Sequence, residues 1–147
     1  MRRRRGPAAR AAFAAIWLAA SPLLAADEAK AILGVWQGTS TCVDLKAAPA
    51  CRDEVVVYEI QELSPPVAGK VLNKADKIVD GKRVPMGELE LVRDPKTGAW
   101  NGEFETPRVR ILWSFGPPAG AEMTATLVTL PERTLLRRVA VRRVEQK

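Results

Sequence analysis

The chain has 147 residues, with 23 Lys and Arg against 17 Asp and Glu, two cysteines and no histidine. Without histidine it lacks the commonest general base and metal ligand, and two thiols alone do not make a structural zinc site. No metal, no cofactor and no catalytic group are therefore expected.

The chain opens on Met1 and four arginines, Arg2 to Arg5, with Arg10 close behind. An apolar run from Ala11 to Ala20 follows, and then small residues up to Ala25 and Ala26. A basic start, a short apolar stretch and a small-residue end are the three parts of a secretory signal peptide, expected here over residues 1–26. The run is too short for a spanning helix, which takes about 20 residues. General secretion fits better than the twin-arginine route. The expected location is periplasmic or secreted, with no stable membrane span after cleavage.

Cleavage alters the charge argument. Five basic residues and no acidic ones precede Ala26, which leaves 18 against 17, a net charge of +1 on residues 27–147. A nucleic-acid partner is not expected from so balanced a surface. About 120 residues make one domain with a real core.

In chain order, residues 27–31 (DEAKA) offer one turn of helix. Thereafter apolar and polar residues alternate, with a turn signal about every ten residues, the pattern of an antiparallel sandwich or barrel. The first strand is expected over Leu33–Cys42, with Gly34, Trp36, Gly38 and Ser40 on one face. Cys42 and Cys51 flank the loop that follows. Two thiols so close in an exported chain read as one disulfide, contributing about 2.7 kcal/mol by closing a loop of about ten residues. A redox pair would sit as Cys-x-x-Cys before a helix, and that pattern is absent.

The β-branched run Glu54–Glu62 is the second strand. Gly69–Val79 is the third, although KVLNKADKIV also has helical spacing; the Asp80-Gly81 hairpin signal favours strand. The fourth, Lys82–Val92, contains Pro85, which suits an edge or a bulge. Asp94-Pro95-Lys96-Thr97-Gly98 is a hairpin loop. Strands five to eight are expected over Ala99–Glu105, Arg108–Phe115, Ala121–Leu130 and Thr134–Val144. Eight consecutive strands with short loops predict an all-β domain, a single small antiparallel up-and-down barrel, because closure removes the edges and no long crossover exists for a Greek key.

Gly34-Val35-Trp36, at the start of the first strand and just after a possible helical turn, resembles the first motif of the lipocalins and related calycin-type eight-stranded barrels. The resemblance implies that Trp36 packs across the closed end of the barrel. It further implies that an arginine of the last strand lies against that ring. Arg137, Arg138, Arg142 and Arg143 are the candidates. The family's second motif and its C-terminal helix have no counterpart here. The chain is also similar to bacterial exported proteins of this size, a likeness that carries no function with it.

Alternation turns Trp100, Phe104, Trp113, Phe115 and Met123 toward one interior, where they either fill the barrel or line a ligand cavity. On the last strand Val139 and Val141 face inward, which puts Arg137 and Arg143 at the two mouths and leaves Arg138 and Arg142 in water. Glu88 with Glu90, and Glu103 with Glu105, read as solvated exterior. Ser40, Ser64 and Ser114 have no base beside them and no nucleophile elbow, so the protein reads as a non-enzyme. The expected function is a monomeric barrel that binds a small apolar or amphipathic molecule. The alternatives are a protein-interaction module, such as an exported hydrolase inhibitor working through loops 43–53 or 116–120, and a cavity-free structural or envelope protein.

Overall fold

The period-two alternation produces eight strands in succession, each hydrogen-bonded antiparallel to the next. The computed structural model describes residues 22–145; residues 1–21 of the expected signal peptide lie outside them. Helix α1 (Pro22–Ile32) leads into β1 (Gly34–Cys42), β2 (Glu54–Glu62), β3 (Lys70–Val79) and β4 (Lys82–Arg93). The second half is β5 (Trp100–Glu105), β6 (Arg110–Phe115), β7 (Glu122–Leu130) and β8 (Leu135–Arg143). β8 returns to β1 through pairs running from Trp36–Arg143 to Cys42–Arg137, which closes the barrel.

Local chemistry accounts for the details. The segment with mixed spacing is a strand, and Asp80 and Gly81 take φ of 51° and 74°, the left-handed pair that a two-residue hairpin needs to match strand twist. At Pro85 the β3–β4 register passes from Ala75–Gly87 to Asp76–Pro85, so Met86 is the extra residue of a bulge. β6 begins at Arg110 rather than at Arg108, because the Thr106 hydroxyl accepts the Arg108 and Val109 N–H groups at 3.3 and 3.1 Å and holds them in a turn.

One element is longer than its sequence signal. In place of a single turn over residues 27–31, α1 extends from Pro22 to Ile32 and runs through the expected cleavage point. Its final turn is seated on the barrel, with Ile32 fully buried and the Leu33 N–H donating to the Ala29 carbonyl at 3.2 Å. No helix among the described residues is long and apolar enough to cross a membrane.

An up-and-down barrel has two different ends. α1 and the connections around residues 63–69, 94–99 and 116–121 lie at one. The loop 43–53 and the turns at 80–81, 106–109 and 131–134 lie at the other. The Cys42–Cys51 disulfide closes that loop. Asp53 Oδ1 also accepts the Cys42 N–H at 2.8 Å, and the Val43 N–H donates to the Leu136 carbonyl at 2.9 Å.

Candidate functional site

The two ends differ in filling. At the α1 end, Trp36 is fully buried and its indole Nε1–H donates to the Ile32 carbonyl at 2.8 Å. The Arg143 guanidinium lies over the indole, 4.3 Å from the ring centroid. It also donates to the carbonyls of Leu33 and of Ala31, the latter at 2.6 Å. The Ala31 carbonyl in the last helical turn, which has no intrahelical partner, and that of Leu33 just beyond it are thereby satisfied by a cation where the helix dipole is negative. Gly34 is required here, because its φ is +124° and an added Cβ would come within 2.7 Å of an Arg143 nitrogen. Trp100, Phe115, Met123 and Leu91 are buried in the same core cluster, and a cleft of about 100 Å³ between α1 and the neighbouring loops touches Trp100.

The other half is hollow. A cavity of about 350 Å³ lies toward the disulfide end, bordered there by Ser40, Glu54 and Arg137. Tyr58, Phe104 and Trp113 form its aromatic walls, with Val56, Ala75 and Leu89 beside them. The rings support one another: Tyr58 meets Trp113 edge-on at 5.1 Å, and Trp113 stacks on Phe115 at 5.1 Å. These separations lie within the favourable range for aromatic pairs. The cavity also reaches Met86, Gly87 and Glu88, along the seam where β4 and β5 pair only at Val92–Asn101 and Arg93–Trp100. Outside it, a wider vestibule of about 580 Å³ lies between the disulfide loop and the turns at 106–109 and 129–134.

Three charged residues border the cavity, and each is paired. Arg137 donates to Ser40 Oγ at 3.0 Å and to the Arg52 carbonyl at 2.9 Å, and stands 3.6 Å from Glu54. Glu54 also meets Lys77 at 3.4 Å, and Glu88 meets Lys74 at 3.8 Å. Burial pushes the Tyr58 phenol well above its ordinary range; the Arg137 charge opposes that shift and Glu54 adds to it. Deeper in, Asn73 is fully buried with neither amide atom partnered, and the Trp113 indole N–H is likewise buried without a partner.

The structure turns all five aromatic and methionine candidates inward but divides them. All five belong to the buried cluster or pack against it, but Phe104 and Trp113 also line the cavity, whereas Trp100, Phe115 and Met123 do not. The arginine over Trp36 is Arg143, and Arg137 sits at the opposite mouth. Arg138 and Arg142 are exposed, and Arg142 pairs with Glu122. Sequence reasoning did not single out Asn73, Ala75 or Leu89 as cavity residues. A signal existed: on a strand, Asn73 shares its face with Val71 and Ala75, a polar residue in an apolar row.

Comparison of the chain with protein-family models, with curated proteins and with solved structures returns no match. Fold and site by themselves define a small closed antiparallel barrel of eight strands, with its larger cavity toward the end opposite α1. That architecture is compatible with a lipocalin-like fold.

Proposed function

We propose that this protein is an exported, lipocalin-like barrel that binds a small apolar or amphipathic molecule in its hollow half, without catalysing a reaction. The observation that carries this reading is the cavity of about 350 Å³ walled by Tyr58, Phe104 and Trp113. Its volume falls within the range of small-molecule sites, and eight strands enclose about that much room. The disulfide between Cys42 and Cys51 supports an oxidising compartment. Glu54 and Glu88, the carboxylates at the cavity, are both held by basic neighbours, which suits a binding wall better than an acid–base pair.

Native mass spectrometry of the purified protein tests the reading by looking for a co-purified ligand. A titration with apolar compounds should raise the melting temperature, since anything that binds only the folded state stabilises it. It should also perturb tryptophan fluorescence through Trp113. Ala75→Phe, which fills the cavity, should abolish both responses while the barrel still folds. A broad panel that moves neither melting nor fluorescence would count against the reading. The protein-interaction reading would then lead, because Val43 and Leu45 on the disulfide loop are 45 % and 58 % exposed.

A further inference from the structure

Buried polar atoms nearly always have partners, and leaving one without costs the desolvation of that group. Three such atoms belong to residues that line the cavity: Asn73 Nδ2, Asn73 Oδ1 and Trp113 Nε1. Asn73 is flanked in the sheet by Ile60 and Leu89, whose side chains offer neither donor nor acceptor. It lies four residues along β3 from Lys77, hence about 13 Å deeper than that charge along the strand. The charges at the cavity are already committed. Glu54 and Glu88 each have a basic partner, and Arg137 is spread over Ser40, Arg52 and Glu54.

We infer that the cavity takes an uncharged amphiphile that enters head first, its head an amide or lactam hydrogen-bonded to Asn73 and Trp113 and its apolar body against Tyr58 and Phe104. The inference rests on the binding reading above. An amide carbonyl is an acceptor for the indole N–H and for Asn73 Nδ2, and an amide N–H is a donor for Asn73 Oδ1, so an amide head carries a complement to each of the three atoms. A carboxylate supplies acceptors only and would lose its hydration where no free cation waits. A hydrocarbon leaves all three atoms unanswered. Water is the remaining occupant, since the space is polar at depth and far larger than one water needs.

The experiment uses three matched probes on the full chain: 2-naphthamide, 2-naphthoate and 2-methylnaphthalene. Affinities come from tryptophan fluorescence and calorimetry, and the Asn73 side-chain amide and Trp113 indole N–H signals are followed by NMR. The amide is expected to bind at least about tenfold more tightly than either analogue, the margin of one well-made hydrogen bond or more. Both NMR signals should shift on binding. Asn73→Leu should erase the preference while retaining affinity for the hydrocarbon. Trp113→Phe, which keeps an aromatic wall but removes the donor, should reduce it independently and serves if the Asn73 variant fails to fold. Equal or tighter binding of naphthoate or methylnaphthalene overturns the head-group inference and leaves a binding barrel standing. Unmoved Asn73 and Trp113 signals that show contacts to bound water, with the amide bound elsewhere, overturn it too. Binding by none of the three sinks both inferences together.

Discussion

The two halves of this barrel are made from the same strands and the same alternation, yet one is a plug and the other a pocket. At the α1 end, Trp36, Trp100 and Phe115 are buried, and Ile32 joins them from the helix. At the disulfide end the inward positions hold Ser40, Glu54, Ala75 and Arg137, which are small or pulled aside into ion pairs. An eight-stranded barrel is just wide enough to be filled by side chains. Where rings pack together with Ile32 it is filled; where Tyr58, Phe104 and Trp113 share the interior with small or ion-paired residues a volume remains. The difference also divides the labour of the two arginines. Arg143 seals, with its charge spent on helix carbonyls and an indole face. Arg137 fastens loop 43–53 to the rim of a cavity it does not fill.

The comparison breaks most readily at the plug. Trp36→Ala should lower stability by about 3–5 kcal/mol, as expected for truncating a large buried aromatic, measured by denaturant unfolding. Unchanged stability with altered ligand binding would reverse the assignment of the two ends. Next comes the disulfide: Cys42→Ser with Cys51→Ser should cost about 2–4 kcal/mol. Because that loop lines the vestibule outside the cavity, the loss should be accompanied by weaker ligand binding, whereas Trp36→Ala should spare affinity in whatever fraction stays folded.

A subtler test is Arg143→Leu. It removes the cation–π contact and leaves the Ala31 and Leu33 carbonyls without their donor, a loss of about 2 kcal/mol. Hydrogen exchange should show the end of α1 opening before the strands. The smallest effect belongs to Tyr58 in the hollow half. Its folded pKa is raised by burial, so the stability it lends is fully present below the ordinary phenol value of 10.0 and falls as pH rises beyond it. Tyr58→Phe should leave stability near neutral pH little changed and flatten the alkaline decline, read from melting temperatures between about pH 9 and 11.

Much of this was legible in the chain. The strands announce themselves through alternation, because a half-buried strand must turn every second residue to the core. The turns do so through Asp80-Gly81 and Asp94 to Gly98, where few residue types suit the backbone. The disulfide follows from two nearby thiols, and the Gly34–Trp36 motif marks the plugged end. Five inward-facing candidates were equally readable as a set. Their division was not: nothing in the alternation tells Phe104 and Trp113, which line the cavity, from Trp100, Phe115 and Met123, which do not.

Sequence by itself thus determined the strand order, the inward face of each strand and the covalent staple, since each depends on residues close together in the chain or on a period of two. Only the tertiary structure decided which inward residues share a layer, because that depends on register between strands and on the seating of α1. Register sets Tyr58 beside Ala75 and Asn73 beside Leu89. It leaves an amide and an indole N–H buried without partners. A cavity is a property of what several strands fail to fill together, and no single stretch of the chain carries a mark of it.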